Sequence, residues 1–234
     1  MAASKDRLHD PSDREARAAR ILDSAAELLL RYGYRRLTIE DVAERAGIGK
    51  GTIYLHWKSR EELFRAVFER EVRSAIGELV AELRENEHAF RLHRLVRFYF
   101  VALVSRPLLR AEFLSDRELL GKLARPENDG SGHRHDLASS AYFELLSEHG
   151  LLRADISPAA IAYASLATLE GFVRAEAGPE GGPVSTVEEQ ADLLAQTLRG
   201  AFETGRELPA ETELLIANQA VAMFAGLGAK DDAD

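Results

Sequence analysis

The chain has 234 residues, 46% of them hydrophobic and 29% charged, a formal net charge of −9 and no cysteine. The length suits one or two domains, the balance is that of a folded globular protein rather than a disordered one, and the missing cysteine excludes disulfides, thiol nucleophiles and zinc–thiolate sites. No apolar run approaches the roughly 20 residues of a membrane span and the N-terminus lacks the apolar core of a secretion signal, so a cytoplasmic protein with no membrane partner is expected.

The elements follow in chain order. A first helix opens at Ser12, with Pro11 before it and Glu15 three residues on in capping-box spacing. Its stripe of Ala18, Ile21, Leu22, Ala25, Leu28, Leu29 and Tyr32 has the helical period, and Gly33 ends it. Thr38 caps a short second helix, Ile39 to about Arg45, with Glu40 and Asp41 at its positive end. Gly47 turns the chain into a third segment from Lys50 to about Trp57. Ser59 and Glu62 form another capping box and start a long helix, Arg60 to about Glu85. A helix from about Ala89 to Ser105 is apolar on every face from Phe98 to Val104, as in a helix buried on all sides. Pro107 begins a shorter helix that breaks up near Leu123, residues 125–136 read as a polar mobile loop, and a helix covers about Leu137 to His149. Ser157-Pro158 opens a helix to about Ala177, residues 178–184 break the chain, Ser185 and Glu188 cap a helix to about Thr204, and Pro209 opens a last one through Phe224. No run alternates apolar and polar as a strand would. The expected fold is all-α with about nine or ten helices. Its parts are an arm (1–11), a helix-turn-helix domain (12–58), a helical body (59–225) and a frayed tail (226–234).

Charge is uneven along the chain. Residues 1–60 carry 12 Lys/Arg against 9 Asp/Glu, a local +3, while the remainder carries −12. Only the N-terminal quarter therefore suits a polyanion. Within it, Thr38 to Lys58 holds two short helices joined by a glycine. Val42 and Ala43 on one helix, Gly47 and Ile48 in the turn, and Ile53 and Trp57 on the other fall at the spacing of a helix-turn-helix core. Left on the outer side are Lys50, Thr52, Tyr54, His56 and Lys58, donors suited to phosphates and base edges, with Gly51 leaving room for a DNA backbone. Thr38, at a helix N-terminus, is a further candidate phosphate contact.

Residues 18 to 68 resemble the DNA-binding domain of the TetR family of bacterial transcriptional regulators. The likeness rests on A-x-E-L-L-x-x-x-G-Y, T-x-x-D-V-A-x-x-A-G, K-G-T-I-Y-x-H-W and S-x-E-E-L as they stand in this chain. It implies a homodimer that grips a palindromic double-stranded DNA operator with two helix-turn-helix units. By position, Thr38, Lys50, Tyr54 and Lys58 would hold phosphates, and Thr52, Tyr54 and His56 would lie nearest the bases. The chain departs from the family pattern at Gly49, where Ser or Thr is common, and at Trp57, where phenylalanine is usual. The arm with Lys5, Arg7 and Arg14 is a candidate for the minor groove.

The rest of the chain carries no such motif. Ala160, Ala164, Ala167 and Gly171 form a small-residue stripe that suits close packing, either inside the monomer or, as the resemblance implies, on a dimer mate through helices 157–177 and 186–204. Phe98, Phe113, Tyr142 and Tyr163 are candidate pocket aromatics for a small, largely apolar effector, though each also suits a core. Glu170 and His93 are polar residues in apolar helices that could orient a ligand. Glu170 equally suits an i,i+4 pair with Arg174, and His93 a solvent-facing place beside Arg94 and Arg97. His133, His135 and Asp136 lack further ligands nearby, so neither a metal nor a cofactor is expected. With no nucleophile elbow, phosphate loop or HExxH pair, an all-α enzyme is the weaker reading. A helical adaptor gives no reason for the display after Gly47. A ligand-responsive regulator, a repressor or else an activator, accounts for the most.

Overall fold

A computed structural model of the chain describes residues 11–123, 131–176 and 186–228, with the side chains of 13–123, 140–176 and 186–227. The helices are α1 (Pro11–Tyr32), α2 (Ile39–Ala46), α3 (Lys50–Tyr54), α4 (Arg60–Glu85), α5 (Leu92–Val104), α6 (Pro107–Phe113), α7 (Arg117–Leu120), α8 (Ser131–Glu148), α9 (Pro158–Glu176), α10 (Val187–Phe202) and α11 (Ala210–Gly228), with 3-10 turns at Tyr34–Arg36 and Gly121–Leu123. Among the described residues there is no strand, only an isolated antiparallel bridge between Leu152 and Glu203. The fold is all-α, as the punctuation of the sequence implies.

Most boundaries fall within a few residues of expectation, and the departures have local causes. Residues 131–136, expected in a loop, are the first turns of α8; residues 125–130 lie outside the described set, as do the arm up to residue 10, the 178–184 breaker and the tail from 229. Thr186, not Ser185, caps α10. Its hydroxyl accepts the Glu189 N–H while the Glu189 carboxylate accepts the Thr186 N–H, a capping box one residue later than read. The start of α4 is also a variant box: Ser59 accepts the Glu62 N–H at 3.1 Å, but the Glu62 carboxylate reaches back to the Lys58 N–H at 2.8 Å. From Phe98 to Val104 no residue is exposed, yet only Phe100 and Ala102 are fully buried.

The chain divides into two compact units, Met1–Glu71 with Ala111–Arg125, and Val72–Arg110 with Pro126–Asp234. The first thus runs past the expected end at Lys58 and takes in a segment from mid-chain. Its core is built from one face of α1, where Ile21, Ala25, Leu28 and Leu29 are buried, against Leu37, Ile39, Val42, Ile53, Leu63, Phe64 and Val67. Tyr34 fixes the corner after α1. Its ring meets Phe64 edge-on at 5.5 Å, and the Arg60 guanidinium lies 4.1 Å over its other side while donating to the Leu37 carbonyl at 2.5 Å. One cation therefore satisfies a loop carbonyl and stacks on the aromatic that anchors α4 to the α1–α2 corner. Gly33 allows the turn, with φ +71° and ψ 157°, a region open to glycine rather than the left-handed helical cap.

In the second unit α5 lies against α9 and α10, and α8 lies against α9 and α11. Phe100 meets Phe172 edge-on at 6.3 Å. Tyr142 is fully buried between Phe143 and Phe224 and donates its hydroxyl to the Phe90 carbonyl at 2.7 Å. Buried charges are paired here: Arg91 donates to Glu213 at 2.6 Å, and Glu203 accepts from both the backbone N–H and the Nδ1 of His93, at 2.9 and 2.8 Å. An ionised carboxylate only accepts, so the His93 Nδ1 carries a proton. His93 is thus a half-buried structural partner of the end of α10, neither solvent-facing nor free to orient a ligand.

Burial raises the Glu203 carboxyl, but the His93 hydrogen bonds outweigh it and hold the group below its ordinary 4.5. The folded carboxylate binds its proton less tightly than the unfolded one, so its stabilisation is complete above about pH 4.5 and is lost as pH falls below it. Glu203→Gln should lower the unfolding free energy at pH 7 by about 1–3 kcal/mol and make the acid limb of the stability curve shallower. Urea titrations at pH 7 and pH 4 measure both effects.

Candidate nucleic-acid interface

The Thr38–Lys58 segment folds as two short helices locked at a corner. Thr38 starts α2: its hydroxyl accepts the Asp41 N–H at 3.2 Å, while the Asp41 Oδ2 accepts the Thr38 N–H at 2.8 Å and the Thr38 hydroxyl proton at 2.6 Å. Those bonds, the side-chain one foremost, hold the Asp41 carboxyl below the usual carboxylate range. At the other end Gly47 sits at φ 67° and ψ 36°, donating to the Glu44 carbonyl at 3.1 Å, and Ile48 donates to Ala43 at 3.0 Å. This double closure redirects the chain within two residues. A Cβ at Gly47 would meet nothing within 4 Å, so the backbone angle alone demands glycine.

The corner brings Val42 and Ala43 of α2 onto Ile53 of α3, and all three are buried. Ile48 and Trp57 are only half-buried. Trp57 lies beyond the end of α3, which stops at Tyr54, and its ring is 5.2 Å from that of His56. The core of the motif is therefore smaller than the six residues expected. Gly49 caps α3 in an extended conformation and supplies no side-chain acceptor, which is what the departure from Ser or Thr implies.

The outer surface also differs from the alternating set read in the sequence. Residues two apart on a helix point in different directions, so Thr52 and His56 turn partly inward and are half-buried, while Lys50, Gly51, Tyr54, Leu55 and Lys58 are exposed. Leu55 was not singled out from the sequence and is 76% exposed. A 3.6-residue reading starting at Lys50 finds it, because positions 50, 51, 54 and 55 lie on one side of α3 and its C-cap; Lys58 lies beyond the helix. Burial, then the positive charge of Arg14 and Arg17 on α1, push the His56 imidazole below its usual 6.5. Those two arginines extend the basic surface to the start of α1; Arg17 was not singled out either. At the start of α3, Lys50 forms an ion pair with Glu40 of α2 and lies 5.7 Å over the Tyr54 ring.

The other candidates differ widely in burial and in partners. Tyr142 is buried and its hydroxyl is used by Phe90; Phe98 and Phe113 are half-buried, the latter in the first compact unit; Tyr163 is 78% exposed on α9. Glu170 accepts from Arg174 at 2.7 and 2.9 Å, the i,i+4 alternative. Small size next to polar flanks does not say which way a helix face turns. In the stripe Ala160, Ala167 and Gly171 are exposed and Ala164 is half-buried, beside the exposed Tyr163 and Leu166. Among the described residues no three His, Cys, Asp or Glu side chains could hold a metal ion, and no helix is long and apolar enough to cross a membrane; the side chains of His133, His135 and Asp136 lie outside the described residues.

Residues 21–67 match the family model for bacterial regulatory proteins, tetR family. The HTH-type transcriptional activator FasR of Mycolicibacterium smegmatis is 31% identical over 88 residues, 37% of this chain and 40% of that protein. The chain thus matches less than half the length of that relative. Two solved structures share the fold over most of the chain. The gamma-butyrolactone receptor (ArpA like protein) has a TM-score of 0.58 and 20% identity, covering 92% of this chain and 98% of its own. The fatty acid degradation regulator FadR from Bacillus halodurans has 0.59 and 16%, covering 79% and 95%. The relative matched in sequence is named a transcriptional activator, and the two solved structures share the all-α fold.

The Gly47 corner gives a stability test. Gly47→Val should cost about 1–2 kcal/mol through left-handed strain alone, and Gly47→Asn clearly less, because asparagine tolerates that region. Thermal unfolding of the two variants ranks them; equal losses would place the cost in packing instead.

Proposed function

We propose that this chain, whose N-terminal domain belongs to the TetR family of bacterial regulatory proteins, is a DNA-binding transcriptional regulator that grips a palindromic operator as a homodimer and is released by a small, largely apolar effector. The observation that carries this reading is the display of Lys50, Gly51, Tyr54, Leu55 and Lys58 on and just after a five-residue helix whose inner side is locked to α2. A buried Ile53 and a left-handed glycine corner hold that helix rigidly enough to present side chains to a groove. Lys50, Lys58 and Thr38 serve the phosphates. Tyr54 and Leu55 are placed nearest the bases, Leu55 as an apolar surface for a thymine methyl, with Thr52 and His56 beside them.

The homodimer is supported by α9 and α10. Ala160, Ala167 and Gly171 form an exposed small-residue strip on α9 beside Tyr163 and Leu166, and Leu193 on α10 is exposed too, each of these last three by 44% or more. An apolar patch of this kind on a charged protein is best covered by a second copy. The effector reading rests on the second unit, a helical body whose interior is dominated by aromatic and aliphatic side chains. Its signal would run along α4, which begins in one unit and ends in the other. A ligand shifts DNA affinity only through its different affinity for two conformations of that body. Repression is the simplest outcome of operator occupancy. Activation is the second reading, favoured by the relative that is named an activator.

Genomic fragment selection with the purified protein should enrich a palindrome. Tyr54→Ala should lose tenfold or more in affinity for it while remaining a dimer by light scattering, and Leu55→Ala should weaken discrimination among bases more than overall binding. Lys58→Ala should weaken binding to all duplexes and reduce the salt slope by about one per protomer. Unchanged binding by Tyr54→Ala would reject the assigned face.

A further inference from the structure

A surface meant for phosphate would be expected to keep its cations free, and here one is not. Lys50 stands at the first position of α3, on the exposed side of the motif, yet its ammonium is paired with Glu40 from the first turn of α2, and it lies over the Tyr54 ring. Both partners are largely in solvent, with side-chain exposures of 47% and 60%. The pairing joins two helices across the corner, ten residues apart in sequence, and is no i,i+4 accident of one helix. The mutual bond is also the leading cause that lowers the Glu40 carboxyl and raises the Lys50 ammonium. Thr38 is occupied in the same way, its hydroxyl and N–H both given to Asp41. The two carboxylates of the first turn of α2 thus sit where two phosphate oxygens are expected.

Building on the DNA-binding reading above, we propose that Glu40 is an internal stand-in for phosphate that occupies Lys50 in the DNA-free protein and lowers the affinity of the α2–α3 surface for any duplex. To reach a phosphate, Lys50 must leave one oxyanion for another, so the contact contributes only the difference between them. Because phosphate contacts are the same on every sequence, the device sets how tightly the protein holds DNA in general and leaves the choice of sequence to Tyr54 and its neighbours. An exposed pair of this kind is modest in strength, enough to tune affinity without closing the site.

The test is a double-mutant cycle on random-sequence duplex DNA long enough to span two recognition helices, at low salt. Glu40→Gln keeps size and hydrogen-bonding capacity and leaves the Thr38–Asp41 cap intact, which an unchanged melting temperature checks. It should bind about two- to fivefold more tightly for each recognition helix engaged, and the gain should shrink as salt rises. In a Lys50→Ala background the same substitution should give no comparable gain. An equal gain with and without Lys50 would make Glu40 a general negative charge and overturn the proposal. No gain at all, with wild type binding the duplex, would overturn it while leaving the DNA-binding reading standing. Failure of wild type and every variant to bind any duplex would remove that reading and this proposal together.

Discussion

Everything proposed for the first unit hangs on the packing of α3 against α2 across the Gly47 corner, with Val42, Ala43 and Ile53 buried. Five residues of helix have no stability of their own; nucleation costs more than so short a segment can return. α3 exists because Ile53 is removed from water against α2 and because the turn before it is closed by two hydrogen bonds from Gly47 and Ile48. Ala43 matters by being small: a larger residue at 4% exposure would push the helices apart and rotate the outer residues away from a common surface. The side chains that would touch DNA are thus oriented by three that never can.

That arrangement explains how the display can be rigid while contributing little to stability. Lys50, Tyr54, Leu55 and Lys58 are exposed, so what they do for a partner costs the fold almost nothing, and Leu55 in water is a cost that only a partner surface offsets. The α1–α2 corner in turn is held by the Tyr34–Phe64–Arg60 cluster, where one guanidinium satisfies a carbonyl and covers a ring. Long-range order in the unit passes through that cluster, since it joins the end of α1 to the start of α4.

Much of this was legible in the sequence, and what was not has definite causes. Capping residues and glycines announce themselves chemically, which is why Thr38, Gly47 and the Ser157-Pro158 start fall where read. Burial of Val42, Ala43 and Ile53 followed from spacing. Spacing without the helical angle misplaces side chains: Thr52 and His56 lie two residues from exposed positions and are half-buried, while an exposed leucine such as Leu55 is not what composition leads one to expect. Trp57 suits the core only if the helix continues three residues past Tyr54, where α3 ends. In the second unit, apolar composition cannot distinguish a wall from a core or an exposed face, and Tyr142 and Tyr163, similar in sequence context, lie at opposite extremes of exposure. The Arg60–Tyr34 and His93–Glu203 pairs join residues 26 and 110 positions apart, and no local pattern encodes such partners.

Charge, finally, has to be read by distance rather than by sum. A chain of net −9 is repelled by DNA as a whole only at ranges where salt has already screened most of the force, since the Debye length is about 8 Å at physiological ionic strength. What remains is local: Lys50, Lys58, Arg14 and Arg17 on one surface, with Glu40 and Asp41 among them. Removing distant acids would change little. A carboxylate in contact with the very cation that would meet the phosphate is inside the screening length, and competes there directly. For a duplex at this surface, the choice of oxyanion at Lys50, the protein's own or the duplex's, tunes affinity more than the −12 carried after residue 60.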